Sequence, residues 1–105
     1  MPYNLANAMP AYMIIEIEVL DAATYAEYME KVPATVANYG GRYVVRTGNV
    51  VPLSGGWRPD RLIIVEFPGA EMMRAWITSA DYQSLAPSRE RATKTRAIAV
   101  QRYEP

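Results

Sequence analysis

Residues 61–67 read RLIIVEF, a nearly continuous apolar run whose interior contains a single charge, Glu66. The turn sequence SGGWRPD at 54–60 precedes the run, and Pro68-Gly69 ends it. A short β-branched run between turn signals predicts a strand, and the absence of polar alternation indicates that both of its faces are covered. The remaining elements must therefore supply a layer on each side of this strand.

Three further strands are predicted around this run. Residues 11–19 (AYMIIEIEV) alternate after their start, with Ile15 and Ile17 against Glu16 and Glu18. Residues 42–47 (RYVVRT) form another strand, and VVPL at 50–53 is a candidate extension of it after a bend. Residues 96–103 (RAIAVQRY) close the chain as the last strand.

Two helical segments connect these strands. In the first, Asp21 is the expected N-cap and Gly40 the expected stop, with apolar residues at helical spacing between them. Pro33 lies inside this segment, and we expect it to kink the helix or divide it, because proline removes a backbone hydrogen bond. The second segment begins with EMMRAWITS at 71–79 and continues in a further piece with Asp81 as N-cap.

The elements follow the order strand, helix, strand, strand, helix, strand. This order predicts an α+β fold of the ferredoxin-like βαββαβ type, a four-stranded antiparallel sheet with helices on one face. The strands carry more apolar surface than one layer of helices covers, including Ile14, Ile15, Ile17, Ile63, Ile64 and Ile98. We therefore expect a homodimer that packs sheet face to sheet face, a dimeric α+β barrel.

The composition excludes several classes of function. With no cysteine and no histidine among 105 residues, the chain has no disulfide, thiol nucleophile, Cys/His zinc site, His-ligated haem or Ser-His-Asp triad. Lysine plus arginine equals aspartate plus glutamate at 11 each, so no basic excess exists to hold nucleic acid. No apolar stretch is long enough to cross a bilayer. We expect no metal, cofactor, nucleic acid or membrane partner.

The chain is expected to divide into a short arm and one domain. Residues 1–10 (MPYNLANAMP) lack the charged and apolar regions of a signal peptide and are expected to form a loose N-terminal arm. Residues 11–105 contain no linker, repeat or low-complexity tract and are expected to form a single domain. The expected location is the cytoplasm.

From Ala11 onward the chain resembles the bacterial domain-of-unknown-function family numbered 1330. The resemblance rests on AYMIIEIEVLDAATYAEY, YGGRYVVRTG, GGWRPDRLIIVEFPG, AWITSADYQSL and SRERA. It implies a dimeric α+β barrel of the group that includes cofactor-independent monooxygenases, muconolactone isomerases and chlorite dismutases. Haem-binding members need an axial histidine that this chain lacks, so a haem-dependent function is disfavoured. Function varies widely within the group, and the likeness alone assigns no activity.

Glu66 and Arg42 are the first candidates for a site. Burial on an apolar strand would raise the pKa of Glu66 unless a cation is near. One hypothesis makes Glu66 a catalytic base or substrate anchor in the pocket between sheet and helices. The other pairs it with Arg42, Arg61 or Arg89. Strand alternation places Arg42 and Arg46 on one face, where Arg42 would clamp a substrate carboxylate or enolate, or where both would meet solvent.

Four further residues complete the candidate site. Tyr82 and Arg89 are seven residues apart and share a helical face, which makes Tyr82 a catalytic candidate and Arg89 a substrate-binding one. Alternatively, Arg89 snorkels or caps the end of its helix. Trp76 and Trp57 are candidates for substrate contact, with a turn lid or a dimer contact as the alternative for Trp57.

Two functions remain open on the sequence alone. In the first, the protein is a small-molecule-binding dimer acting as a cofactor-independent oxygenase or isomerase on a small anionic or enolisable substrate. Glu66 would then take a proton while arginines hold the resulting anion. In the second, it is a non-catalytic binding or interaction module with a closed salt-bridge network. A cavity of about 300 Å³ or more, bounded by these polar residues, would favour the first function.

Overall fold

The computed structural model describes residues 9–105. Its strands are β1 (Ala11–Val19), β2 (Arg42–Thr47), β3 (Arg61–Phe67) and β4 (Thr93–Gln101). Its helices are α1 (Ala22–Ala37), α2 (Ala70–Ile77), α3 (Ala80–Gln83) and α4 (Ala86–Ala92). The predicted order is confirmed, and the second helical region is divided into three short helices.

The four strands form one antiparallel sheet in the order β2-β3-β1-β4. β1 and β3 are central, and Ile14 on β1 pairs with Ile64 on one side and Ile98 on the other. This is the predicted ferredoxin-like arrangement. The helices pack on the face that carries Ile17 and Ile63, which we call the inner face. The opposite face, which carries Ile14, Ile64 and Ile98, is the outer face.

α1 begins and ends where the sequence predicts. The Asp21 carboxylate accepts hydrogen bonds from the backbone N–H of Thr24 at 3.2 Å and from its hydroxyl at 2.8 Å. Beyond the other end, Gly40 takes a φ of 75°, a left-handed conformation that glycine adopts without strain. Of the two outcomes expected at Pro33, the division is wrong, because one helix runs through it, and the kink stays a prediction. Met29 and Val36, on either side of the proline, are buried in the same core.

Three element boundaries differ from the prediction. Ser79 rather than Asp81 caps α3, since its hydroxyl accepts a hydrogen bond from the backbone N–H of Tyr82 at 3.2 Å. β4 spans Thr93–Gln101 rather than 96–103, because it pairs along the whole length of β1. Residues 50–53 form no strand, and the candidate extension of β2 is therefore wrong.

The hydrophobic core lies between the inner face and the helices. Its most completely buried large side chains are Val36, Val65, Phe67 and Met73. Gly41 packs against Val36 of α1 and Phe67 of β3, because a Cβ atom there would lie 2.7 Å from Val36 Cγ1 and 2.8 Å from Phe67 Cε1. The absence of a side chain at Gly41 therefore permits this packing.

The outer face carries the excess apolar strand surface that the sequence predicts. No helix among residues 9–105 covers it, and Ile98, which lies beside Ile14 on the edge strand β4, is 61% exposed. Its apolar residues are Ile14, Val45, Leu62, Ile64, Ile98 and Val100.

Most of the predicted N-terminal arm, residues 1–8, lies outside the described residues, and the division into arm and single domain stays a prediction. Within residues 9–105, no helix combines the length and apolar character that crossing a membrane requires. The cytoplasmic location stays a prediction as well.

Candidate functional site

A cavity of about 70 Å³ lies between the inner face and the helices. Aliphatic and aromatic side chains of the sheet and of α1 form most of its wall. Its polar groups belong to Tyr28, Tyr43, Tyr82, Arg89 and Thr95, and no carboxylate of the described residues lines it. This volume holds a few water molecules and is below the roughly 300 Å³ of a typical ligand pocket. A ligand therefore requires movement of the lining side chains.

Residues of three helices build the polar end of the cavity. The prediction that Tyr82 and Arg89 share a helical face is wrong, because Tyr82 belongs to α3 and Arg89 to α4. Arg89 Nη1 donates a hydrogen bond to the Tyr82 hydroxyl, and its guanidinium carbon lies 5.8 Å from the centre of the Tyr82 ring. Burial, together with a hydrogen bond to Tyr82, raises the pKa of Tyr28 far above its ordinary value. Burial also raises the pKa of Tyr43 to about 12. Both phenols are therefore protonated at neutral pH and can donate hydrogen bonds.

Arg89 stands at the mouth of the cavity, and its side chain is 26% exposed. Its Nη2 atom lies 3.5 Å from Oε2 of Glu90, whose own side chain is 69% exposed. An ion pair in contact with solvent neutralises little charge. Arg89 therefore places a positive charge at a cavity that no described carboxylate lines, which favours an anionic group there.

Trp76 forms part of the cavity wall and is held in place by neighbouring groups. Its indole N–H donates a buried hydrogen bond to the Thr35 hydroxyl at 3.0 Å. Its ring lies 4.1 Å from the Tyr82 ring and 5.5 Å from the Phe67 ring, centre to centre. The structure thus brings together three predicted site residues, Trp76, Tyr82 and Arg89, whose roles in binding and catalysis stay predictions.

The predicted position of Glu66 between sheet and helices is wrong, because Glu66 lies on the outer face. Its Oε2 accepts a hydrogen bond from the Tyr12 hydroxyl at 2.7 Å, and its Oε1 accepts one from Arg42 Nε at 2.7 Å. The bond from Tyr12, followed by the bond from Arg42, lowers the pKa of the Glu66 carboxyl. The sequence left open whether Glu66 serves a ligand site or pairs with an arginine, and in the structure Glu66 pairs with Arg42.

Strand geometry explains why the predicted site residues lie on two faces. Ile63, Val65 and Phe67 point inward on β3, so Glu66 points outward with Arg42, its partner in the strand register. β2 contains a bulge between Tyr43 and Val45 that shifts the register. Arg46 consequently pairs with the inward-facing Ile63, and the prediction that Arg42 and Arg46 share a face is wrong.

Trp57 also lies over the outer face, far from Trp76 in the fold. Its side chain, which is 55% exposed, lines a shallow groove of about 270 Å³ with Ile98 and Arg96. Arg96 forms an ion pair with Glu16, and this bond, with a smaller contribution from Trp57, lowers the pKa of the Glu16 carboxyl. Trp57 therefore faces a surface groove, and its predicted substrate contact stays a prediction.

The cavity contains two residues that the sequence analysis did not single out as polar groups, Tyr28 and Tyr43. Tyr28 falls in the apolar stripe of α1, and its hydrogen-bond partner Tyr82 belongs to another helix. The composition contained a signal for such groups, since the chain has 8 tyrosines, whose rings carry a hydroxyl, and 1 phenylalanine. Within residues 9–105, no three histidine, cysteine, aspartate or glutamate side chains lie close enough to hold a metal ion.

Comparison with known families gives one match. The family model of a domain of unknown function, DUF1330, matches residues 10–103, nearly the whole chain. Among curated proteins, none is significantly similar to this sequence.

Several solved structures share the fold. A protein of unknown function from Rhodopseudomonas palustris has a TM-score of 0.82 at 20% identity, covering 97% of this chain and 88% of that one. SnoaB from Streptomyces nogalater, described as a cofactor-independent oxygenase, has a TM-score of 0.67 at 11% identity, covering 93% and 97%. A dimeric protein of unknown function and ferredoxin-like fold from Bacteroides fragilis has a TM-score of 0.60 at 12% identity, covering 91% and 99%. At these identities the likeness establishes the fold alone.

Proposed function

This chain belongs to the DUF1330 family, and we propose from its own geometry that it binds a small, largely apolar molecule bearing one anionic or enolisable oxygen. The observation that carries the proposal is the placement of Arg89 at the mouth of a cavity without carboxylates. A cation in such surroundings acts more strongly than in water, because little solvent screens it. The ligand oxygen would lie beside Arg89 and Tyr82, with the apolar body against Trp76.

The same arrangement supports chemistry that passes through an enolate or phenolate. Fixed donors near a developing negative charge lower the energy of the anion. Here they are the guanidinium of Arg89 and the hydroxyl of Tyr82, which accepts a hydrogen bond from Arg89 and keeps its own proton to donate. Glu66 is on the other side of the sheet and cannot serve this cavity as the base. The protein is then a cofactor-independent isomerase, or an oxygenase with dioxygen as the oxidant, in which water at the mouth takes the proton and Tyr82 donates a hydrogen bond to the resulting oxyanion. The description of SnoaB as a cofactor-independent oxygenase supports this choice of chemistry.

Ionisation of a bound phenol tests the proposal directly. Addition of the protein to para-nitrophenol is expected to lower the pKa of the phenol, read from the absorbance of the phenolate across a pH series. Arg89→Gln should abolish the shift. Arg91→Gln is the matched control, because Arg91 lies on the same helix, donates a hydrogen bond to the Ser88 hydroxyl at 3.4 Å and does not line the cavity. An unchanged phenol pKa with the parent protein, or an equal shift with Arg89→Gln, would contradict the proposal.

We also propose that two copies pack through their outer faces. The centre of this face is apolar, and the ion pairs Arg42–Glu66 and Arg96–Glu16 lie around that centre. An apolar centre with a polar rim is the usual composition of a protein interface. The dimeric protein from Bacteroides fragilis, which shares the fold, supports a homodimer. The alternative function is a non-catalytic interaction module with a closed salt-bridge network. Only the outer face favours it, because the ion pair between Glu66 and Arg42 lies there.

A further inference from the structure

A second concave site lies where β2 ends and β3 begins. This open cleft has a volume of about 640 Å³ and is separate from the polar end of the cavity. Tyr25 and Met29 of α1 form one wall, and Arg46 and Arg61 of the two strands form the other. The proposed function gives this cleft no role.

The two arginines are held close together without a carboxylate partner. They are diagonal neighbours on adjacent strands, a spacing of roughly 7–8 Å, and both lie on the inner side of the sheet. The guanidinium of Arg46 lies 5.3 Å from the centre of the Tyr43 ring, and that of Arg61 lies 5.7 Å from the centre of the Tyr25 ring. Neither arginine takes part in an ion pair among residues 9–105. Contact with the rings limits the freedom of both side chains.

The other ionisable groups of the cleft limit what it can hold. Burial raises the pKa of Tyr25, while the charges of Arg61 and Arg46 oppose the rise, so both guanidiniums lie within electrostatic reach of this phenol. Glu30 and Asp60 also line the cleft, and both are exposed. A second anionic group on the ligand would meet these carboxylates. The cleft therefore suits a ligand with one negative charge placed between the arginines.

Met29 is the wall between the cleft and the cavity, because its side chain lines both. Methionine is unbranched and changes rotamer easily. Its backbone carbonyl also lacks the usual helical hydrogen bond from residue 33, which is Pro33. Met29 is therefore the side chain that a ligand occupying both spaces would have to displace.

We propose that the cleft binds the carboxylate of an elongated monocarboxylic acid between Arg46 and Arg61, and that the apolar chain of this acid passes Met29 into the cavity. This inference rests on the proposed function and extends it, because an oxygen at the far end of the ligand would lie next to Arg89. It also explains how a cavity of about 70 Å³ serves a larger molecule, since much of the ligand stays in the cleft.

A chain-length series of straight carboxylates tests this binding mode without any mutation. Butyrate, hexanoate and octanoate are titrated into the full chain at neutral pH by isothermal calorimetry. Burial of the alkyl chain predicts an affinity that rises roughly fourfold for each added methylene. Equal affinity for all three acids would mean that only the carboxylate is bound, and would overturn the inference.

Substitution of the arginines tests the carboxylate site. Arg46→Gln and Arg61→Gln should each weaken octanoate binding about tenfold or more, since each removes a charged hydrogen-bond donor. Arg58→Gln is the matched control for net charge, because Arg58 is exposed and lines neither the cleft nor the cavity. Full affinity in both cleft variants would overturn the inference.

The two proposals fail separately. If octanoate binding is lost in Arg89→Gln but kept in the Arg46→Gln, Arg61→Gln double variant, the carboxylate binds in the cavity. The cleft inference is then wrong, and the proposed function stands. If octanoate binding depends on the cleft arginines while para-nitrophenol shows no pKa shift, the proposed anion site at Arg89 is wrong, and the carboxylate site of the cleft is retained.

Discussion

Glu66 is ionised over a wider pH range than an ordinary glutamate because two donors contact its carboxylate. Tyr12 donates to one oxygen and Arg42 to the other, each at 2.7 Å, and Arg102 adds a weaker attraction. A carboxyl group whose pKa is lower in the folded state than in the unfolded state stabilises the fold only while it is charged. This stabilisation is present above the unfolded pKa of about 4.3 and is lost as the pH falls through the folded value.

The acid dependence of stability is therefore expected to change in Glu66→Gln. At neutral pH the variant should melt a few degrees below the parent protein. The difference should shrink as the pH falls below about 4 towards the lowered pKa of the folded Glu66 carboxyl. Glu27→Gln serves as the control, since Glu27 is exposed and forms no ion pair among residues 9–105. Thermal unfolding followed by circular dichroism across this range measures both. A difference that stays constant with pH would show that the carboxylate charge contributes nothing.

Gly41 is a position where one added carbon matters. A Cβ atom would meet both Val36 and Phe67 at under 3 Å, and both residues are fixed in the core. Gly41→Ala should therefore lower the free energy of unfolding by about 1–3 kcal/mol, the usual cost of overpacking. Gly48→Ala is the matched control, because the nearest atom to a Cβ there is 3.5 Å away and its φ is not positive. Chemical denaturation in urea checks the pair, and equal stability of the two variants would refute the steric explanation.

Between elements, α1 and α2 are joined by the buried hydrogen bond from the Trp76 indole to the Thr35 hydroxyl. Thr35→Val keeps the shape of the side chain but leaves a buried N–H without an acceptor, which costs about 1–3 kcal/mol. In Trp76→Phe the N–H is gone, so adding Thr35→Val should cost less than it does alone. Urea denaturation of the two single variants and the double variant gives the coupling free energy between Thr35 and Trp76. Additive effects would mean that this bond does not link the helices.

The elements differ in how far their sequence determines them. Strand alternation and turn residues predict β1, β2, β3 and the start of α1 at Asp21, because these signals act over a few neighbouring residues. The face of Glu66 was mispredicted because Leu62, Ile63, Ile64 and Val65 are all apolar, so the alternation within β3 carries no information. The bulge in β2 depends on pairing with β3, which is a contact between distant parts of the chain.

At the level of the whole molecule, the candidate site could likewise be predicted only where it depends on neighbouring residues and not on contacts between distant parts of the chain. Tyr82 and Arg89 meet, as the sequence predicted, although they lie on the separate helices α3 and α4 rather than on one helical face. Arg46 and Arg61 could not be paired from the sequence, because their proximity depends on the bulge and on the pairing of β2 with β3. The sequence correctly predicts an apolar sheet with two faces, but the assignment of each polar residue to a face requires the full register.

The exposed apolar outer face predicts that the protein forms a homodimer in solution. If two copies pack through this face, light scattering coupled to size-exclusion chromatography should give the mass of two chains for the parent protein. Ile98→Glu would place a charge in the apolar part of this face and should give the mass of one chain. Leu20→Glu is the matched control, because Leu20 is 54% exposed but lies in the turn between β1 and α1. A monomeric parent protein, or an Ile98→Glu variant that stays dimeric, would rule out the outer face as the interface.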